Sequence, residues 1–190
     1  MARSLKKLIA AVFCLVLLFE LSSCAVNTKS AEQTGFSMGS LVGIKLYGKN
    51  SEALENANLL AEVVKTDERI SKNYEGSDIY RVNSSGEHGE TVSVETYNEL
   101  RTVCDVYSDS HGKAAALSGA LTELWGFDTD DFRLPSEDEI LSAKEKCGDD
   151  KLIFDDGKKV YIPDGAKLNL GSAGKGIALD EAVEIGRAHV

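Results

Sequence analysis

The changing period of the apolar residues constrains the fold of this sequence more than any other feature. Apolar and polar residues alternate over positions 37–47, which predicts a β-strand. Ser51 can then cap a helix that continues to about Ile70, because apolar residues recur there at helical spacing. Strands and helices mix along the rest of the chain without a regular βαβ alternation. We therefore predict an α+β fold with a mixed or antiparallel sheet and packed helices.

Further elements follow from caps, turns and periodicity. The apolar period is lost over positions 71–89, which predicts a functional loop with a short helical turn. A capping box at Ser136–Glu139 predicts the start of a helix that stops at Gly148. The remaining predicted elements are a strand over 91–94, a helix over 95–107, a hairpin with strands 151–154 and 159–162, a buried strand over 168–170 and a helix from about residue 177.

The amino-terminal residues have the pattern of an export signal. A basic start precedes an apolar run from Leu8 to Phe19, which is too short to span a bilayer core of roughly 30 Å. Small residues then precede Cys24, which indicates a bacterial lipoprotein signal over residues 1–23. The alternative is an ordinary signal peptide with an accidental cysteine. On the lipoprotein interpretation, Cys24 carries the lipid, residues 24–35 form a polar tether, and the protein is anchored to the cell membrane on its extracytoplasmic face.

Net charge and cysteine content disfavour two classes of function. The chain has a formal net charge of -10, and an acidic surface repels phosphate backbones, so we predict no nucleic-acid partner. Beyond residue 24 the cysteines are Cys104 and Cys147, and neither has a C-x-x-C partner or a nearby histidine. We predict free or buried thiols rather than a zinc site or thiol–disulfide chemistry, although an exported protein could pair them.

A glycine-rich segment, Gly171–Gly176, follows the predicted strand 168–170 and precedes the last predicted helix. Backbone N–H groups and the helix dipole at such a turn can hold a phosphate. The spacing matches neither a Walker A loop nor a G-x-G-x-x-G fingerprint. A tight packing turn with a surface lysine is therefore an equally good interpretation.

Aromatic and methionine side chains also lie beside glycines. We predict that Trp125 and Phe127 pack at a core corner, where Gly126 permits the bend. Met38, at the start of a strand, either fills the core or lies against a flat ring, and the residues alone favour the core role.

Several short motifs occur in the order found in one known family. They are Phe36–Ser40, Ile70–Ser71, Ser77–Asn83, Leu124–Phe127 and Leu168–Asp180. In this order, behind a lipoprotein signal, they resemble the ApbE family of FAD:protein FMN transferases, which are often exported lipoproteins. The resemblance covers residues 36–183, as the amino-terminal part of an incomplete ApbE-like domain. We expect residues 184–190 to be a non-native tail and the native protein to continue, so the chain alone is expected to be inactive.

The resemblance implies a reaction and its participants. ApbE proteins use magnesium to split FAD, and they attach FMN through a phosphoester bond to a threonine or serine of an exported flavoprotein. By the same resemblance, Met38 lies at the flavin site, Asn169 stands where the family often has an aspartate that contacts FAD, and Lys175 lies in the FAD-contacting glycine turn. Ser172 matches a position that offers a magnesium ligand through its carbonyl. The resemblance assigns no catalytic residue here.

The sequence departs from the family pattern at several places. The family commonly has an aromatic residue, an aspartate, a small residue and a threonine where this chain has Ala114–Leu117, so that carboxylate is absent. Asn73 stands in place of a usual tyrosine, with Tyr74 adjacent. The family's aspartate and threonine magnesium ligands lie in its carboxyl-terminal half, which this chain lacks. A non-catalytic, exported FAD-binding lipoprotein is therefore the alternative function.

Overall fold

The computed structural model describes residues 29–48, 58–127 and 129–188, and the fold within them is α+β, as predicted. Two strands, β1 (Lys29–Ser37) and β2 (Ser40–Gly48), form an antiparallel hairpin. Val42 and Ile44 of β2 pack against a small apolar cluster shared by the first and last helices. The predicted signal peptide, the predicted lipidation at Cys24 and the predicted Ser51 cap lie outside the described residues.

The predicted polar tether over 24–35 has to be corrected where it overlaps this hairpin. Residues 29–35 belong to β1 and pair with β2, from Lys29 opposite Gly48 onward. Burial alternates along the segment, since Ala31 is buried while the neighbouring Glu32 is exposed. This alternation is typical of a strand with one face on the core, and a solvated tether would not show it. The ordered domain therefore begins before residue 36.

The turn of the hairpin consists of Met38 and Gly39. Both residues have positive φ, at 50° and 66°, as a two-residue turn with right-handed strand twist requires. Glycine adopts this conformation freely, whereas a residue with a side chain loses about 1 kcal/mol there. The backbone of Met38 is therefore held in place by contacts from elsewhere in the chain.

Within the described residues six helices follow the hairpin, and three of them begin at a serine cap. Ser77, Ser93 and Ser136 each accept a backbone N–H at a helix start, and the capping box of Ser136 with Glu139 is confirmed. No helix within the described ranges is long and apolar enough to cross a membrane. The helices are α1 (Leu59–Ile70), α2 (Asp78–Ser85), α3 (Val94–Asp109), α4 (Gly119–Trp125), α5 (Glu137–Glu145) and α6 (Gly174–Ala188).

The second sheet is small and antiparallel. Its strands β3 (Glu90–Thr91), β4 (Ile153–Phe154) and β5 (Lys159–Tyr161) lie in the order β3-β5-β4. The predicted hairpin is therefore confirmed with shorter strands, and the predicted strand over 91–94 stops early because Ser93 caps α3. The main core lies between this sheet and the helices, and its fully buried side chains include Ile79, Val82, Leu100, Leu117 and Leu168.

The predicted buried strand over 168–170 is wrong, although the segment is buried and extended up to Asn169. A side chain occupies the place of a neighbouring strand. The Asn83 amide accepts the Leu168 N–H at 2.7 Å and donates to the Leu168 carbonyl at 2.9 Å. Leu170–Ser172 then form a 3₁₀ turn, and α6 begins at Gly174, three residues before the predicted start. The helix continues to Ala188, through most of the segment expected to be a tail.

The predicted core corner at Trp125 and Phe127 is also wrong. The two rings stack on each other, with centroids 5.8 Å apart and planes 5° apart, and the Phe127 side chain is 59% exposed. The bend at Gly126 is confirmed, since its φ is 70° and an added Cβ would lie 2.2 Å from the Asp131 carbonyl oxygen. The rings shield each other at the surface instead of entering the core.

The two thiols are free, as the sequence predicted. Cys104 donates weakly to the Asp149 carbonyl and Cys147 to the Ala143 carbonyl. Burial, assisted by the charge of Asp149, raises the pKa of Cys104 to about 11. A thiol with so high a pKa is a poor nucleophile at neutral pH, so its role is structural.

Asp78 makes a contribution to stability that depends on pH. Its buried carboxylate accepts from the Ser93 backbone and hydroxyl, at 3.0 and 2.6 Å, and from Arg81 at 2.6 Å. Burial alone would raise the pKa of Asp78, but the hydrogen bonds from Ser93 and Arg81 lower it below 3.8. A lowered pKa stabilises the fold at pH values above the unfolded pKa, and this contribution disappears as the pH falls through the folded pKa.

We expect Asp78→Asn to lower the free energy of unfolding by about 2 kcal/mol at pH 7, since it weakens charge-assisted hydrogen bonds. The difference from the native protein should shrink as the pH falls below about 4. Urea unfolding at several pH values measures this difference. A deficit that does not change with pH would contradict the assigned role of the Asp78 charge.

Candidate functional site

A cleft of about 180 Å³ lies where three separate parts of the chain meet. Its walls are the Met38 turn, the end of α1 with residues 71–73, and the turn that leads into α6. The family resemblance predicts that Met38, Asn169 and Lys175 contact FAD, and all three residues line this cleft. A larger open depression of about 540 Å³ between α4 and α5 contains none of these three. The smaller cleft is therefore the candidate site.

Met38 contributes both backbone and side chain to the cleft. Its side chain is half-buried and packs against the main core and against the small cluster of Val63, Ala178 and Ala182. Its N–H donates to the Asp67 carboxylate at 2.7 Å, and its carbonyl accepts from Lys175 Nζ at 3.2 Å. The two interpretations of Met38, as a core residue and as a residue against a flat ring, are therefore compatible with each other. The same side chain packs on the core and borders the cleft.

Asn169 shapes the turn on the opposite wall. Its side-chain oxygen accepts the Gly171 N–H at 2.9 Å, and its Nδ2 donates to the Thr122 hydroxyl at 3.1 Å. The Asn169 N–H donates to the Ala116 carbonyl at 2.7 Å. Both polar groups of the Asn169 side chain thus have hydrogen-bond partners. These bonds fix the conformation of the turn that enters α6.

The start of α6 is suited to holding an anion. The first N–H groups of a helix lack intrahelical partners, and here they belong to Gly174, Lys175 and Gly176, the first two of which line the cleft. The absence of a side chain at Gly174 lets α6 approach α1, since an added Cβ would lie 3.2 Å from Ile70 Cδ1. The exposed Lys175 ammonium adds a positive charge at this end of the cleft.

An ion network joins α1 and α6, which both border the cleft, to α3. The Arg69 guanidinium of α1 bonds both Glu99 oxygens at 2.7 Å and Glu181 of α6 at 2.7 Å, and it also donates to Thr96 at 2.8 Å. Glu181 also accepts from the Thr66 hydroxyl. Burial raises the pKa of Glu99, and the nearby Glu181 charge raises it further against the opposing effect of Arg69. The network therefore depends on the single arginine to hold two carboxylates together.

A comparison with protein families gives the decisive observation. The sequence model of the ApbE family matches residues 38–190, which include all three walls of the cleft. The chain belongs to the ApbE family. The resemblance carried by the short motifs is thereby confirmed. A search of curated proteins finds no match.

Solved ApbE structures share the fold. The ApbE protein of Thermotoga maritima is 28% identical, with a TM-score of 0.79, over 85% of this chain and 53% of that protein. The apo flavinyl transferase ApbE of Pseudomonas stutzeri is 24% identical with a TM-score of 0.74, and the flavin transferase ApbE of Vibrio cholerae is 20% identical with a TM-score of 0.70. Each of these two matches covers 85% of this chain and 54% of the relative. The chain therefore spans about half the length of these solved relatives.

The segment that departs from the ApbE pattern is fixed by a carboxylate from elsewhere in the chain. The buried Asp149 accepts the N–H groups of Ala116 and Leu117, at 2.9 and 2.6 Å. Burial raises the pKa of Asp149, although these two hydrogen bonds oppose the shift. The Ala114–Leu117 segment thus keeps a defined backbone even though it offers no acidic side chain of its own.

Ser172, the predicted magnesium ligand, is exposed in the 3₁₀ turn before α6. Hard cations such as magnesium prefer several converging oxygen ligands, with carboxylates among them. In the part of the chain that the structure describes, no three His, Cys, Asp or Glu side chains converge in a way that could hold a metal ion. These residues therefore do not fit a magnesium site by themselves, and Ser172 stays a prediction.

The sequence interpretation missed Asp67 and Asn83 as residues that shape the site. Asp67 bonds the Met38 turn, and Asn83 bonds the backbone immediately before Asn169. A signal for Asp67 was present, because Val63, Asp67 and Ile70 fall on one helical face and a carboxylate on a buried face needs a partner. Asn83 ends one of the motifs that carry the resemblance, but its partner Leu168 is 85 positions away, so its role could not be read from the spacing.

Proposed function

We propose that the full-length protein is a magnesium-dependent FAD:protein FMN transferase, which attaches FMN to a threonine or serine of an exported flavoprotein. The observation that carries this proposal is the convergence of Met38, Asn169 and Lys175 on one cleft, in a chain of the ApbE family. FAD is then a substrate, and the flavoprotein acceptor is the partner. The names of the solved relatives, which include flavinyl and flavin transferases, agree with this proposal.

The cleft suits the ends of FAD in different ways. The Lys175 ammonium and the N–H groups at the start of α6 would hold the anionic pyrophosphate, because charge and helix dipole act in the same direction. The half-buried Met38 side chain would offer an apolar, polarisable surface to the flavin ring. Asn169 would keep the glycine turn in the shape that the pyrophosphate requires.

In the proposed transfer, the acceptor hydroxyl oxygen bonds to the FMN phosphorus and the bridging P–O bond breaks. AMP leaves with that oxygen, and the hydroxyl proton passes to the solvent. A magnesium ion supplies charge neutralisation of the pyrophosphate in such chemistry. We assign no catalytic residue within the described residues, and Ser172 would be one oxygen ligand of a set completed elsewhere.

A non-catalytic FAD-binding lipoprotein is the second candidate. The specific observation in its favour is the absence of an acidic side chain over Ala114–Leu117, whose backbone is instead fixed by Asp149. For either function we propose an exported protein, anchored through a lipid on Cys24 to the extracytoplasmic face of the cell membrane. The support for this placement is the sequence of residues 1–24.

The test of the function uses the full-length protein with FAD, magnesium and an acceptor that carries a threonine. Covalent, fluorescent flavin on the acceptor is the expected result, and a threonine-to-valine acceptor serves as its control. FAD binding without transfer would favour the non-catalytic candidate. A protein that binds no FAD by calorimetry, with or without magnesium, would contradict both candidates.

We expect Lys175→Ala to weaken FAD binding about 10-fold or more, as loss of a charge-assisted contact to phosphate implies. Lys175→Arg should retain most of the affinity, since it keeps the charge. Riboflavin, which has no phosphate, should bind both variants and the native protein equally. Lys144→Ala removes an exposed lysine of α5 and serves as the matched control for net charge. Equal losses of affinity for FAD and riboflavin would contradict the assigned role of Lys175.

A further inference from the structure

The backbone of Met38 is held from two sides at the cleft. Its positive φ of 50° is unfavourable for a residue with a side chain, so the turn does not hold this shape unaided. The N–H of Met38 points to α1 through Asp67, and the carbonyl of Met38 is bonded by Lys175 of α6. Two helices that form walls of the cleft therefore meet at this one residue.

Asp67 forms two hydrogen bonds to the turn, and its bond to Met38 is shorter than the bond from Lys175. Its Oδ2 atom accepts the Met38 N–H at 2.7 Å and the Ser37 hydroxyl at 3.0 Å. Ser37 is itself buried, and Asp67 is half-buried, so water competes weakly for these bonds. Hydrogen bonds to an ionised carboxylate are also stronger than those between neutral groups.

We propose that Asp67 is a positioning residue that sets the Met38 turn for flavin binding. This inference rests on the proposed flavin site, because it assigns Asp67 an effect on the ligand through Met38. Asp67 holds the first residue of the turn, so that the Met38 side chain borders the cleft and the Met38 carbonyl meets Lys175. Both hydrogen bonds end on the single atom Oδ2, so an amide oxygen in the same place can accept them, although more weakly than the carboxylate.

Two substitutions of Asp67 separate the effect of the acceptor oxygen from the effect of the negative charge. Asp67→Asn keeps an oxygen at the end of the side chain and removes the charge, so the Met38 turn should keep its place. Asp67→Ala removes the acceptor, so the turn should relax. Glu68→Ala alters the exposed neighbour on α1, away from the turn, and is the matched control.

Methionine methyl resonances report the position of the turn directly. The sequence contains two methionines, of which Met1 lies in the predicted signal peptide, so a protein labelled with ¹³C-methyl methionine gives at most two signals. We expect the Met38 signal to shift in Asp67→Ala and to stay near its native position in Asp67→Asn and Glu68→Ala. FAD should shift the same signal in the native protein, because the flavin ring lies against Met38.

Affinity for FAD provides the second measurement. We expect Asp67→Ala to weaken binding about 10-fold, since the site loses its arrangement, and Asp67→Asn to bind within about threefold of the native protein. A native-like Met38 signal in Asp67→Ala would overturn the proposal, whatever its affinity, and so would an equal loss of affinity in both Asp67 variants. A native protein that binds no FAD would instead overturn the flavin site, while the methyl shift would still report the positioning of the turn.

Discussion

Replacing Arg69 with methionine is expected to lower the free energy of unfolding by about 3 kcal/mol, more than any exposed charge substitution in this chain. The guanidinium bonds Glu99 and Glu181 at 2.7 Å, and the three side chains are 19%, 15% and 31% exposed. Without Arg69 the two carboxylates face each other in a largely dry space. Methionine keeps the length and the apolar stem, so the loss reports the charge rather than packing.

The pH dependence of this loss has a definite sign. The pKa of Glu99 is raised by burial and by Glu181, and Arg69 acts in the opposite direction. Removing Arg69 therefore raises the pKa of Glu99 further. A carboxyl group whose pKa is raised in the folded state destabilises the fold as the pH rises through that pKa. The deficit of Arg69→Met should thus shrink as the pH is lowered from 7 toward 5.

Urea unfolding of the purified protein measures the effect, with Lys65→Met as control. Lys65 pairs with Glu62 at the same distance of 2.7 Å, but its side chain is 67% exposed, so we expect a loss below about 0.5 kcal/mol. Adding Glu181→Gln to Arg69→Met should recover part of the stability by removing one of the two opposed charges. A loss for Arg69→Met no larger than that for Lys65→Met would refute the assigned role of the network.

Replacing Asp149 with alanine is expected to cost about 2 to 3 kcal/mol, because two buried N–H groups lose their acceptor at once. These groups belong to Ala116 and Leu117, both of which are fully buried. Relief from burying a carboxylate offsets part of the cost, since burial raises the pKa of Asp149. The effect should reach the cleft, because the Ala116 carbonyl accepts the Asn169 N–H at 2.7 Å.

Asparagine at position 149 tests whether both acceptor atoms matter. It offers one oxygen, and its NH₂ group would face the second N–H, so we expect a loss comparable to that of alanine. Asp156→Ala, an exposed position in the turn between β4 and β5, is the control and should stay within about 0.5 kcal/mol of the native protein. Native stability in Asp149→Asn would show that one hydrogen bond is enough.

Local features of the fold were predictable from the sequence. The capping box at Ser136, the hairpin between β4 and β5 and the free thiols depend on residues close in sequence or on their chemistry alone. Met38, Asn169 and Lys175 were found through the resemblance to ApbE, and the structure places them together. Their geometry could not be read from their spacing, since the Met38 carbonyl and Lys175 are 137 positions apart.

Two of the wrong predictions share one physical cause, which is pairing with residues outside the segment itself. The segment over 168–170 has the composition of a buried strand, but the Asn83 side chain satisfies both backbone groups of Leu168, so no ladder forms. Residues 29–35 look polar enough for a tether, yet β2 supplies a partner for each of them. In both cases the deciding contact lies outside the local pattern. The stack of Trp125 on Phe127 is a local contact, between residues two positions apart, and it keeps both rings at the surface.

The bond between Asn83 and Leu168 has a consequence for protein engineering. The glycine turn before α6 resembles a portable anion-binding loop, which a designer could copy as residues 167–176. A copy of that kind would arrive without the amide that satisfies both polar groups of Leu168. A transplant would therefore have to include α2, or a substitute asparagine at the same place in the recipient scaffold, before the loop could keep its shape.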